Sequence, residues 1–188
     1  MTQVHGQVRE QERDPQQEAR RRLALSQIRQ YGDPVLRMPA RPVERFDDDL
    51  AKLVERMQRL MADAQGVGLA ATQIGILQRV VVIQPSGEEE PRALVNPEIV
   101  ERGTDKQTDD EGCLSLQGVL VPVERDCHVT VAAKDERGDD VRLELEGLAA
   151  RVVQHELDHL DGVLIIDRTT DEARREALGV LRPRIVLT

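Results

Sequence analysis

The sequence predicts an α+β domain in which antiparallel strands surround one central, metal-binding helix. Three observations predict it. Gln154-His155-Glu156-Leu157-Asp158-His159 places two histidines four residues apart, and Leu148, Val152, His155 and His159 form one stripe at helical spacing. Three strand-like runs, Val119 to Glu124, Val129 to Ala133 and Val141 to Glu146, precede that helix with no helix between them. A second helical pattern lies near the front of the chain, so strands and helices are segregated rather than alternating as βαβ units.

The elements follow in order. Residues 1 to about 24 are rich in Gln, Glu and Arg and read as a disordered or loosely helical tail, with Arg20, Arg21 and Arg22 as a solvated charge run. The compact domain is expected over residues 25–170, and a C-terminal helix or extension over 171–188. Tyr31-Gly32-Asp33-Pro34 signals a turn, and Pro39 and Pro42 keep the next segment extended. Asp47, Asp48 and Asp49 suit a helix start. Leu50, Leu53, Val54, Met57, Leu60, Met61 and Ala64 carry the helix towards Gly66. Gly66 to Gly75 reads as a loop whose small residues admit another backbone or a ligand. Val80 to Ile83 is a buried strand. Arg92 to Val95 and Ile99 to Glu101 bracket a turn at Asn96-Pro97, and Gly103 to Asp110 is a polar loop. Arg137-Gly138 turns the chain between the last two strands, of which Val141, Leu143 and Leu145 alternate cleanly. After the central helix come the apolar segment Val163 to Ile166 and a helix from Asp171 to Leu181, ended by Arg182-Pro183.

Composition removes several functions. With one Tyr, one Phe and no Trp among 188 residues, there are few rings on which to stack single-stranded bases. A net charge of −9 opposes general affinity for phosphate backbones, so no specific nucleic-acid partner is expected. No apolar run approaches the ~20 residues that span a bilayer, and the N-terminus lacks an apolar signal core. Two cysteines, Cys113 and Cys127, make no disulfide framework. The expected compartment is the cytoplasm.

The chemistry lies in the histidine pair. Side chains four apart on a helix share a face, so His155 and His159 can grip one metal ion, and Glu156 projects beside it to handle protons. Two ligands are too few, since such sites use three or four. A third histidine six positions after the second would extend the pattern, but that position is Ile165. Glu172 or Glu176 could serve, as in a zinc endopeptidase. Cys113 could serve, from the Gly-flanked segment Glu111-Gly112-Cys113-Leu114-Ser115. Cys113 and Cys127 together would close a purely structural Cys₂His₂ tetrahedron. The residues alone leave these open.

Three segments in order carry a more specific signal. Gly66-Val67-Gly68-Leu69-Ala70-Ala71-Thr72-Gln73, Glu111-Gly112-Cys113-Leu114-Ser115 and Gln154 to His159 resemble the three signature motifs of the peptide deformylase family. Tyr31 to Arg37 and Asp161-Gly162-Val163-Leu164 extend the resemblance, which covers residues 26 to 168. It implies a peptide-deformylase-like fold with Cys113, His155 and His159 as metal ligands. It makes Glu156 the general acid/base, and Gln73 with the Leu114 N–H the oxyanion hole. Val67, Gly68, Leu148 and Val152 would border the pocket for the substrate's first side chain, and Glu111 would brace the site. The implied cofactor is one divalent metal, Fe(II) in the cell, with Zn, Ni or Co able to replace it. The implied partners are N-formyl-methionyl nascent peptides, from which follows an expectation of transient ribosome contact. One departure stands out: the family's usual proline two residues after the motif serine is Gln117 here.

Overall fold

The computed structural model describes residues 14–85 and 90–182 of the chain. Seven strands form two antiparallel sheets. The larger takes the order β1 (Gly68–Ala70), β2 (Val80–Ile83), β3 (Arg92–Arg102), β6 (His128–Lys134), β7 (Asp140–Glu146). The smaller is the hairpin of β4 (Lys106–Cys113) and β5 (Leu116–Asp126). The α+β expectation holds, with every strand pairing antiparallel.

Alternation along the strands sorts the core. Val80, Val82, Ala93 and Val95 face a layer made by α1 (Pro15–Ser26) and α2 (Asp48–Asp63). Val81, Ile83, Leu94, Val129 and Val131 face α3 (Gly147–Leu160) through Val152, Val153, Leu157 and Leu160. β2 is therefore buried on both faces, which is why its sequence is an unbroken Val-Val-Val-Ile run. A third cluster joins β5, through Leu116, Val119, Val121 and Val123, to α4 (Ile165–Arg168) and α5 (Asp171–Leu181).

α2 begins where the acids predict, with the Asp47 side chain accepting from the N–H groups of Asp49 and Leu50. Four expectations need correction. The part of the expected tail from Pro15 to residue 24 is helix α1, capped by Asp14 and anchored by buried Ala24 and Leu25; residues 1–13 lie outside the described residues. Gly66 to Gly75 is not only a loop, because β1 and a 3₁₀ turn over Ala71–Ile74 occupy most of it. No turn interrupts β3. Asn96 takes φ 51°, the pairing register with β6 shifts between Val95 and Glu98, and the strand continues. The Asn96 side chain accepts from the Val43 N–H and donates to the Val43 carbonyl, which holds this irregular point in place. The polar segment after Gly103 is mostly strand β4, whose side chains from Lys106 to Asp110 are exposed and so show no apolar alternation. Val163 to Ile166 leads into the single turn α4, and α5 matches its expected limits. The expected stop is met at Arg182, which caps α5; Pro183 lies outside the described residues.

Candidate active site

α3 carries His155, Glu156 and His159, and the end of β4 carries Cys113. Their meeting is a consequence of layering, because the hairpin closes over the same helix that packs on the larger sheet. Cys113 Sγ lies 3.2 Å from His159 Nε2. One donor atom from each of Cys113, His155 and His159 falls within 4.8 Å of the others. Cys127, Glu172 and Glu176 do not join this group among the described residues. The geometry therefore favours the open three-ligand arrangement over the closed Cys₂His₂ tetrahedron or an endopeptidase-like glutamate ligand.

His155 is oriented by Glu111, whose Oε2 lies 3.1 Å from Nδ1, so Nε2 is left to face the other donors. Glu111 is held in turn. The Arg125 guanidinium grips both its oxygens at 3.0 Å, and Arg151 reaches it at 2.7 Å. Burial would raise the Glu111 pKa, but the bonds from His155 and Arg125 outweigh it and hold the carboxyl at about 2. Arg125 also binds Asp158, which Arg168 engages from α4. This arginine network is the part of the site that sequence reasoning missed. Its trace was present: Val119, Val121, Val123 and Arg125 share the inward face of β5, an arginine where the pattern calls for an apolar residue.

Gln73 sits in the 3₁₀ turn after β1. Its Oε1 accepts from the Ala70 N–H at 2.8 Å, which points Nε2 at Ser115 Oγ, 3.1 Å away, and at Cys113 Sγ, 3.7 Å away. Ser115 is thus a further supporting residue, and its N–H also faces the Cys113 sulfur at 3.4 Å. Leu114 is fixed through its carbonyl by the Gln30 side chain at 3.1 Å. Gln117, at the departure noted above, donates to the Gln30 side chain at 3.2 Å. Its side chain therefore joins the support of Leu114.

Electrostatics separate the two helix groups. Burial pushes the Glu156 carboxyl up to about 7, with His155 and Arg125 opposing and Glu111 reinforcing the shift. One of its oxygens is buried without a hydrogen-bond partner among the described residues. His159 is driven well down, first by burial and then by the charge of His155, which keeps a neutral ring with a lone pair to give. Burial would lower His155 as well, but its bonds with Cys113 and Glu111 prevail and raise it. A sulfur and two imidazoles brought together in a buried place, one of the rings held neutral with a lone pair to give, form a donor set suited to a cation.

The site opens into a cavity of about 660 Å³. Val67, Gly68, Leu148 and Val152 line it, together with Gln73, Cys113, Leu114, His155 and Glu156. His159 lies beneath, 1% exposed. Val67 and Leu148 are exposed at the mouth, while Val152 is buried.

Residues 25–175 match the family model described as polypeptide deformylase. The chain belongs to the peptide deformylase family. The deformylase from a Thermotoga species is 49% identical over 150 residues, covering 80% of this chain and 90% of its own length. The Clostridium botulinum deformylase is 48% identical over 149 residues, covering 79% of this chain and 99% of its own. The crystal structure of the Synechococcus elongatus deformylase in complex with actinonin superposes with a TM-score of 0.78 at 43% identity, covering 81% of this chain and 85% of its own. Most of α1 precedes the matched region.

Proposed function

We propose that Cys113, His155 and His159 hold one divalent metal, that Glu156 moves the proton, and that Gln73 and the Leu114 N–H receive the charge on the reacting oxygen. The reaction is the family's own: hydrolytic removal of the formyl group from the N-terminal methionine of newly made proteins, releasing formate. The observation that carries the reading is the approach of the three donor atoms within 4.8 Å, beside a buried Glu156 with one oxygen unpartnered. Residues 25–170 form the catalytic domain in this reading.

When bound, the metal lowers the pKa of a water towards ~7 and polarises the formyl carbonyl. The protein's residues do the rest. Val67, Gly68, Leu148 and Val152 seat the methionine side chain and so fix the formyl carbon near Glu156. Glu156, poised near neutrality, accepts the proton of the attacking water. The oxygen adds to the formyl carbon, and the carbonyl oxygen gains negative charge. Gln73 Nε2, aimed by the Ala70 N–H on its Oε1, and the Leu114 N–H, on a residue whose carbonyl Gln30 holds, stabilise that charge without reorganising. The C–N bond breaks, Glu156 returns the proton to the nitrogen, and formate and a free amino terminus result.

Fe(II) is the metal we assign, because Cys/His₂ softness accepts it and the family resemblance implies it; Zn, Ni or Co can take its place. The decisive test is formate release from formyl-Met-Ala-Ser by anaerobically prepared protein, beside a Glu156→Ala variant of equal metal content. Formate from the parent and almost none from the variant is expected, and silence from fully metallated parent would refute the enzyme reading. Because the substrate is a nascent chain, transient ribosome contact in the cytoplasm belongs to the same reading. Full-length protein is expected to co-sediment with ribosomes more than a variant lacking residues 169–188, and no co-sedimentation of the full chain removes that element.

A further inference from the structure

The charge run Arg20-Arg21-Arg22 has no part in the chemistry above, yet its middle member reaches the site. Arg21 lines the same cavity as Cys113, His155 and Glu156. Helical spacing puts it there: it lies four residues before Leu25, on one face of α1. Leu25 also lines the cavity and is buried in the core that α1 shares with α2. Arg21 is thus carried by an anchored stretch of helix and is itself half-buried. Among the described residues, no ion pair or hydrogen bond engages its guanidinium.

The other charges of the cavity differ. Arg151 is committed to Glu111, Asp109 and the carbonyls of Val123 and Gln107. Asp110, Glu111 and Glu156 are acids. An incoming carboxylate therefore meets one cation among the described lining residues that no acid of this chain already holds. The cavity's 660 Å³ is room for a drug-sized ligand, which is longer than formyl-methionine alone. The residues that follow the methionine must cross its mouth. Arg21 also lies outside the matched region of residues 25–175.

We propose that Arg21 is a specificity residue that pairs with an acidic side chain in the first few residues after the formyl-methionine. The proposal rests on the deformylase reading, and it acts on substrate binding rather than on the chemical step. A partly exposed ion pair of this kind changes kcat/KM by about two- to fivefold, mainly through KM, and weakens with salt.

The test uses metal-loaded full-length enzyme and C-terminally amidated peptides, so that no terminal carboxylate competes. Formyl-Met-Ala-Asp-amide is compared with formyl-Met-Ala-Asn-amide, and Asp is then moved to the second and fourth positions. We expect the parent to favour Asp at one of these positions, Arg21→Gln to abolish the preference, Arg21→Lys to keep part of it, and Arg21→Glu to reverse it towards Lys-containing peptides. The Kd values of the deformylated products, Met-Ala-Asp-amide and Met-Ala-Asn-amide, give the same ratio without turnover. A parent that releases no formate thus counts against the deformylase reading alone. A Kd ratio indifferent to residue 21 at every position overturns the contact, and so does a preference seen only for peptides with a free terminal carboxylate.

Discussion

A methyl group at position 68 would stand 2.3 Å from Glu156 Oε1 and 2.9 Å from Val152 Cγ1. Gly68 is thus the space in which the Glu156 carboxylate, the proposed proton carrier, sits. Gly68→Ala is expected to displace Glu156 and lower kcat/KM by about 10²-fold, the scale set by an ångström of misplacement. Metal content and melting temperature should change far less, and a variant of parental activity would show that Glu156 works from another position. The glycine was visible in the sequence, but its neighbour across the fold was not. The same contrast holds for Arg125. The expected strand stopped at Glu124, one residue short of it, and only the folded chain shows that β5 continues and turns Arg125 inward to Glu111 and Asp158. The metal-ligand candidates were more legible, because helical spacing alone relates His155 to His159, and the motif around Cys113 supplied the third.

α4 shows how a short element is held. Its Asp167 accepts from the Leu164 N–H at 2.8 Å and pairs with Arg37, from the 3₁₀ turn over Pro34–Arg37. Burial would raise the Asp167 pKa, but the Arg37 bond and the Leu164 N–H outweigh it and hold the carboxyl below its ordinary value of 3.8. A depressed carboxylate pKa stabilises the fold above the unfolded value and loses that contribution as pH falls through the folded one. Asp167→Asn is therefore expected to cost about 1 kcal/mol at pH 7. In urea unfolding, the gap between parent and variant should be constant from pH 7 down to about 3.8 and narrow progressively below it; a gap that does not narrow on the acid side of that value would assign the effect to packing. Elements with a buried side were read well, as β2 and α2 show. β4 was not, since Glu111 is the only buried residue in a strand whose other side chains meet water or the cleft. β3 was split because Asn96-Pro97 is a strong turn signal locally, whereas the Asn96 bonds to Val43, 53 residues away, keep the strand continuous.

The compact body extends further towards the N-terminus than its polar sequence suggested. Leu25 and Ala24 share a core with Val54, Met57 and Val80, so α1 is part of the packed structure. Leu25→Ala is expected to lower stability by about 2 kcal/mol, read from the urea midpoint, where a helix that merely lay on the surface would give almost nothing. α1 was obscured because its stretch before Leu23 is almost wholly charged or amide-bearing. The candidate metal site, meanwhile, straddles two layers. Its sulfur comes from the two-stranded hairpin, and its imidazoles come from the helix that lies on the five-stranded sheet. Had all three donors stood on α3, the centre would tolerate any small slide of the hairpin. As built, it is a gauge of that seam: the donors are in register only while the two sheets are, so the molecule can be competent for chemistry only when its assembly is complete.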